Sequence, residues 1–325
     1  MSEPEIDVVA VGSAIVDVLA YAADADIEAH GLVRGTMALV DLERSDALYQ
    51  AMPPATEDSG GSAANTVAGV ASFGGRAGFI GKVRDDQLGH VFVHDIRSVG
   101  VDYTTPPAST GPPTARCLIM VSPDGERTMN TYLGAAVDLS AADVDESMVA
   151  RSAVTYLEGY MWDPPEAIEA LRAAIRIAHG AGRLVSFSLS DPFCVDRHRA
   201  EFLELTSDEV DVLFANEIEA MSLFGVDSLD AAAKGLRDIC DLSIVTRGPE
   251  GCVVITPGES FDVPAAPVAQ VVDTTGAGDL FAAGFLYGIT HALDARRSAE
   301  LGGLAAAECI AHVGARPLVR LATLV

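Results

Sequence analysis

Residues Asp273 to Asp279 read Asp-Thr-Thr-Gly-Ala-Gly-Asp, and apolar residues follow at helical spacing at Leu280, Phe281, Phe285 and Ile289. A strand is predicted just before this string, over residues 268–272, so Gly276, Ala277 and Gly278 fall where a strand passes into a helix. A helix start leaves N–H groups without intrahelical partners, and these donors attract anions together with the helix dipole. Glycine lets another group approach the backbone closely. A carboxylate in the first turn, Asp279, can face the same space. An anion hole beside a carboxylate is what moving a phosphoryl group onto a hydroxyl requires: the amides hold the transferring charge while the acid takes the hydroxyl proton. The competing structural reading is a tight glycine turn with Asp279 as an ordinary helix-start residue. The length of the string and its place before a helix weigh against it.

Other nucleotide motifs fail. The stretch Gly-Arg-Ala-Gly-Phe-Ile-Gly-Lys-Val has Arg76 where a Walker A loop needs its first glycine, and Val83 where it needs a magnesium-holding hydroxyl. Gly-Ala-Gly-Asp lacks the third glycine of a dinucleotide fingerprint.

Short β-branched runs alternate with longer helical patterns along the chain. The reading is a three-layer α/β/α fold with a mostly parallel central sheet. Ser62 is a plausible N-cap and Gly74 a plausible stop for one of its helices. Two segments, at about 18–40 and 101–132, break the rhythm with short extended pieces. Asp124-Gly125 between two strand-like runs is a hairpin signal. The expectation is one domain over residues 1–325, carrying these segments as a small β-sheet lid.

With 325 residues, 49% of them hydrophobic, the chain can bury a large core. Its formal net charge of -26 repels phosphate backbones, which argues against nucleic-acid binding. No apolar run approaches the ~20 residues that span a bilayer. The N-terminus has neither the basic nor the apolar region of a secretory signal. The five scattered cysteines read as reduced thiols, so a cytoplasmic location is expected.

The string at Asp273–Asp279 resembles the C-terminal signature of the ribokinase-like (PfkB) carbohydrate and nucleoside kinases, and Ser59–Gly89 resembles their glycine-rich N-terminal signature. The likeness runs from Val8 to Pro317, with both signatures in order. It implies ATP and Mg2+ as cofactors and a small nucleoside or sugar as acceptor, with a monovalent cation such as K+ a further candidate at the loop around Asp273. Residue by residue, Asp279 matches the catalytic base, and Gly276, Ala277 and Gly278 its anion hole. Asp17 matches the acid that holds two acceptor hydroxyls, a task suited to a carboxylate with two accepting oxygens. Gly61 and Asn65 match acceptor-hydroxyl contacts. Asn216 and Glu219 match an Asn-x-x-Glu motif that positions magnesium and its waters. Thr246 and Gly248, with Thr275, Gly276 and Gly278, fall along the nucleotide, and the small-residue run after Leu301 would flank adenine.

The segment Ser186–Phe193 resembles the adenosine kinase branch, and Arg127 matches an arginine of that branch that would clamp phosphate from the lid. Tyr160, Met161 and Trp162 are candidates for an apolar slot for a purine, against the plain reading as core or surface aromatics. Many members carry an asparagine where this chain has Ser13 or Ala14. The favoured activity is phosphorylation of the 5′-hydroxyl of adenosine. A free sugar such as ribose or fructose, or a protein that binds without catalysis, stands as the alternative. Monomer and homodimer are both open.

Overall fold

The computed structural model describes residues 3–325. Fourteen strands occur among them in chain order: β1 (Ile6–Val11), β2 (Ile15–Tyr21), β3 (Met37–Leu39), β4 (Thr56–Gly60), β5 (Ala77–Ile80), β6 (Val101–Tyr103), β7 (Ala115–Val121), β8 (Arg127–Tyr132), β9 (Ser152–Glu158), β10 (Leu184–Ser188), β11 (Val212–Asn216), β12 (Leu242–Thr246), β13 (Cys252–Ile255) and β14 (Ser260–Val263). Nine form a large sheet in the order β14-β13-β12-β11-β10-β9-β1-β5-β6, parallel from β12 to β6 and antiparallel at the β13–β14 edge. The other five form a second sheet, β3-β8-β7-β2-β4.

The large sheet is buried on both faces because successive side chains of a strand point to opposite sides. In β1, Val8 and Ala10 join a core with helices Ser62–Phe73, Ala277–Thr290 and Ala295–Cys309. Val9 and Val11 join a separate core with helices Pro165–Gly180, Pro192–Asp208 and Leu229–Ile239. The helices of these two cores are the outer layers of the expected α/β/α arrangement. The helix pair Ala277–Thr290 and Ala295–Cys309 packs through glycine: a Cβ at Gly284 would lie 2.5 Å from the Leu301 carbonyl oxygen, and one at Gly302 2.7 Å from the Phe281 carbonyl oxygen. Gly302 in the small-residue run therefore serves close helix packing.

Several local expectations need correction. Residues 268–272 form no strand. They are loop, and Val272 is held by its amide to the Ile310 carbonyl at 2.8 Å, so the Asp273–Asp279 string opens its helix from a loop. Ser62 is the first helical residue and the cap position is Gly61, whose φ of 99° puts it in the region that favours glycine. The small sheet starts at Ile15 instead of residue 18 and gains β4, while β6, inside the 101–132 segment, belongs to the large sheet. β4 was missed because its sequence, Thr-Glu-Asp-Ser-Gly, lacks the apolar alternation of a strand. The hairpin at Asp124-Gly125 is present: β7 and β8 pair antiparallel, and Gly125 has φ 87°. All five cysteines are free and buried.

A methyl group at position 284 cannot fit without displacing the backbone of the neighbouring helix. Gly284→Ala is expected to lower stability by about 1–3 kcal/mol, the usual cost of overpacking, read as a drop in Tm at unchanged pH.

Candidate active site

In a parallel sheet the carboxyl ends of the strands share one edge, and ligands bind outside it. Here that edge carries Glu158 at the end of β9, Ser188 at the end of β10, Asn216 at the end of β11 and Thr246 at the end of β12, with Asn216 opposite Thr246 in register.

Asp279 sits in the first turn of the helix Ala277–Thr290, which begins after Gly276 at φ 77°. The Ala277 amide already donates to the Thr274 carbonyl at 3.2 Å. Among the described residues, no hydrogen bond uses the amides of Gly278 and Asp279. Of the expected anion hole, the Ala277 amide is thus spent and, among the described residues, the amides of Gly276 and Gly278 are free, joined by that of Asp279. Gly278 is exposed, and a Cβ there would meet nothing within 4 Å, so the space beside these donors is open. Gly276 is constrained by contrast, since its Cβ would lie 2.7 Å from the backbone of Ala315.

The Asp279 carboxylate is held by residues from another helix N-terminus. Ser62 Oγ donates to Oδ1 at 2.6 Å and Asn65 Nδ2 to Oδ2 at 3.1 Å. Burial pushes the Asp279 carboxyl above the usual carboxylate range, against these two hydrogen bonds and the Arg316 guanidinium, which lower it. That is the condition of a carboxylate that can take a proton.

Asp17 reaches the same place from β2. It pairs in register with Asp58 of β4 and with Cys117 of β7. The approach needs glycine at position 60, where a Cβ would collide with the Asp17 carboxylate at 2.3 Å. Gly61 is similarly pressed on the Ser13 carbonyl, 2.3 Å from where its Cβ would be. The Asp17 carboxyl is pushed up to about 6, first by burial, while Arg316 and Arg127 pull it back down and Asp58 and Asp279 push it further up. Asp17, Gly61, Asn65 and Asp279 are therefore brought together as expected.

Three residues were not read from the sequence as belonging to this site. Glu158 is fully buried and accepts from the amides of Ser13 at 2.7 Å and Ala63 at 2.8 Å, and burial pushes its carboxyl up to about 7. It ties the loop after β1 to the start of the helix Ser62–Phe73. Ser62 contacts Asp279 directly, and Arg316 donates from Nε to Asn65 Oδ1 at 3.2 Å. Glu158 did carry a usable signal, as the one charged residue of β9, placed at its end. Arg316 carried none, because its partners lie far away in the chain.

Other expectations are redrawn. Arg127 does not stand free to clamp a phosphate: its Nη2 is 2.5 Å from Asp273 Oδ2, with both side chains buried. Asp273 also accepts from the amides of Thr275 at 3.0 Å and Gly314 at 2.9 Å, so it braces the loop that carries the free amides. Met161 and Trp162 line no slot. Both are core residues, with Trp162 packed edge-on to Phe187 and Phe202 and its Nε1 donating to Glu201. Tyr160 alone of the three is exposed, with its hydroxyl donating to the Ser190 carbonyl at 3.3 Å.

Asn216 and Glu219 lie where β11 passes into a helix. Asn216 is the N-cap of the helix Glu217–Phe224, and the two residues form a reciprocal capping box, with Asn216 N on Glu219 Oε2 at 2.9 Å and Asn216 Nδ2 on Oε1 at 2.6 Å. Glu219 is buried, and that burial raises its carboxyl to about 7. Among the described residues no three acidic, histidine or cysteine side chains cluster to cage a metal. The donor set fits an ion that keeps its waters and is held mainly by the substrate's phosphates, as Mg2+ prefers. Thr246 Oγ1 donates to the Ala215 carbonyl at 3.4 Å, and Gly248, at φ 53°, opens on empty space.

In comparison with known proteins, the model of the pfkB family carbohydrate kinases matches residues 7–320. The chain belongs to that family. It is accordingly a phosphotransferase with an alcohol group as acceptor, a kinase of the sugar and nucleoside group, and ATP and Mg2+ are the cofactors the family implies. Among solved structures, the adenosine kinase of Sinorhizobium meliloti is 52% identical with a TM-score of 0.92, covering 98% of each chain. A probable sugar kinase of Rhizobium etli CFN 42 is 48% identical, also with a TM-score of 0.92, over 99% of this chain and 98% of the other. Fructokinase-1 of Oryza sativa subsp. japonica is 32% identical over 72% of this chain and 74% of its own length. No helix among the described residues is long and apolar enough to cross a membrane.

The raised Asp17 carboxyl has a consequence for stability. Between the ordinary value of 3.8 and about 6 the folded protein binds a proton there that the unfolded chain does not. Stability from this group therefore rises as pH falls through that window and is reduced above it. Asp17→Asn removes the buried charge. Its Tm is expected to exceed wild type at pH 8 and the difference to shrink toward pH 4, measured by thermal melts of both proteins.

Proposed function

We propose that this kinase transfers the γ-phosphoryl group of ATP to the 5′-hydroxyl of adenosine. The observation that carries the acceptor assignment is the 52% identity, over nearly the whole of both chains, to a protein described as an adenosine kinase. In this reading Asp17 accepts hydrogen bonds from the vicinal ribose hydroxyls, and Gly61 and Asn65 complete the ribose face. Asp279 receives the 5′-hydroxyl proton, its carboxylate held in place by Ser62 and Asn65. The free amides of Gly278 and Asp279 bear on the negative charge that develops during transfer. Thr246, Gly248, Thr275 and Gly276 lie along the nucleotide. Glu219 and Asn216 would hold the magnesium ion through its waters, and the bound ion would neutralise phosphate charge. The five-stranded sheet serves as the lid, and closure excludes water from the reacting groups. Arg127, paired with Asp273, joins that lid to the loop of the free amides and does not itself clamp phosphate.

The same pair bears on the monovalent cation. Asp273 already has a guanidinium as its counterion, so turnover is expected to be unchanged when K+ is replaced by tetramethylammonium at constant ionic strength. A loss of more than about tenfold would place a cation at the loop after all. With all its described thiols reduced and buried, the protein is assigned to the cytoplasm.

A second reading, phosphorylation of a free sugar such as ribose or fructose, is favoured by one observation: Met161 and Trp162 are spent on the core, so no aromatic slot for a purine is built from them. ATP consumption with Mg2+ against adenosine, inosine, guanosine, ribose and fructose separates the two. Turnover confined to adenosine is expected, and turnover on a free sugar alone would replace the acceptor. In either case Asp279→Asn should retain ligand binding and lose about 10²–10⁴-fold in kcat, the range for a general base. Near-normal kcat in that variant would sink the mechanism.

A further inference from the structure

Arg316 lies in the segment that follows the last long helix, and the reaction scheme above leaves it without a task. Its side chain is 16% exposed. Nε donates to Asn65 Oδ1 at 3.2 Å, Nη1 lies 3.4 Å from Asp95 Oδ2, and Nη2 is buried without a partner. The segment is pinned on both sides of it. Gly314 donates its amide to Asp273 at 2.9 Å, and Leu318 donates to Glu308 Oε1 at 3.0 Å. A buried guanidinium nitrogen with no acceptor costs free energy, and burial pushes the whole group below the usual arginine range. A residue kept only for packing would be better apolar.

Two consequences follow from this placement. An amide side chain has one accepting and one donating end, and a guanidinium can only donate. Arg316 therefore takes the oxygen of Asn65 and leaves Nδ2 for Asp279 Oδ2. The orientation of Asn65 is dictated at both ends. Secondly, Arg316 faces carboxylates from four elements: Asp17 of β2, Asp58 of β4, Asp95 of helix Gln87–Ser98 and Asp279. The other cation facing Asp17 is Arg127 of β8, which is already paired with Asp273. Cys117 of β7 also faces Asp17. Glu158 and Tyr156 of β9, with Tyr160 and Cys309, face Asp279 and supply no positive charge.

We propose that Arg316 is a positioning residue of the acceptor site, fixing the Asn65 amide against Asp279 and bringing its guanidinium charge to the carboxylates gathered there. This rests on the reading that Asp17 and Asp279 serve the acceptor hydroxyls.

The test compares Arg316→Gln and Arg316→Lys with wild type, following kcat/KM for the acceptor that wild type turns over from pH 5 to 9. The profile of kcat/KM reports ionisations of the free enzyme. Wild type should lose activity as pH falls through about 6, where Asp17 protonates. The glutamine variant removes a cation, so its acid limb should move to higher pH by about one unit. The lysine variant keeps the charge and should leave the limb near wild type, while kcat falls about tenfold at every pH because the Nε donor to Asn65 is lost. A glutamine variant whose loss is uniform across pH, with the limb unmoved, would reduce Arg316 to a structural residue, and a variant with unchanged kinetics would give it no role.

A separate readout keeps this distinct from the acceptor assignment. Titration of the 13C-labelled aspartate carboxyls by NMR, assigned with Asp17→Asn and Asp279→Asn, should show both groups shifted upward in Arg316→Gln even if no tested acceptor is phosphorylated. Unshifted carboxyls would overturn the proposal. If the glutamine variant does not fold, Asp95→Asn moves the same balance the other way: with one competing carboxylate gone, the Asp17 titration should move to lower pH, and an upward or absent shift would count against the proposal.

Discussion

The structure depends on bringing negative charge together at one place, where every carboxylate but Asp58 is partly or wholly withdrawn from water. Asp17, Asp58, Asp95, Asp279 and Glu158 come from five separate elements and meet near one edge of the large sheet. Nothing about such a grouping is stable by itself, since burial and mutual repulsion both disfavour the charged forms. The fold tolerates it through donors arranged at close range: Ser62 and Asn65 on Asp279, the Ser13 and Ala63 amides on Glu158, and the Arg316 guanidinium among the aspartates. Carboxyls held above their ordinary range at Asp17, Asp279 and Glu158 are the residue of an incomplete compensation. Perturbed acids of this kind cluster where proton transfer is done.

Two helix starts supply the remaining compensation. The helices Ser62–Phe73 and Ala277–Thr290 both bring their first turns to the site, and both begin after a glycine at positive φ. Their dipoles favour negative charge at just these ends. At the first, Gly60 and Gly61 allow Asp17 and the Ser13 carbonyl to approach more closely than any side chain would permit. At the second, Gly276 packs on Ala315 and Gly278 leaves open space beside two free amides. The glycines of the two signatures thus act differently: Gly60, Gly61 and Gly276 make room for the protein's own atoms, while Gly278 leaves room for a ligand.

The second sheet is connected to this arrangement by charge as well as by backbone. Asp17 is a residue of the second sheet in register with Asp58 and Cys117, and Arg127 reaches from that sheet to Asp273 at the start of the glycine loop. A movement of that sheet would carry Asp17 and the Arg127–Asp273 pair with it. Asp17 and the braces of the amide loop are in this way mechanically joined.

Much of this was legible in the residues alone. Alternation of β-branched runs with helical periods specified a layered α/β fold, Asp124-Gly125 specified a hairpin, and the Asp273–Asp279 string marked a helix start carrying an acid, because each depends on near-neighbour sterics and hydrogen bonding. The errors are informative for the same reason. Residues 268–272 have strand-like composition but find no strand to pair with, β4 has polar composition and is drawn into a strand by pairing with β2, and Trp162 looks like a ligand wall but is taken up by Phe187 and Phe202. Asn216 and Glu219 have the spacing of a helical face, and the strand end makes them a cap. Only the tertiary structure decided which charges meet: Ser62 and Asp279 are 217 residues apart, and Asn65 and Arg316 are 251 apart. Such contacts follow from the order and register of the strands, and no local pattern encodes them. The sequence by itself determined the chemistry available at one edge of a parallel sheet; sheet order and register decided the company each carboxylate keeps.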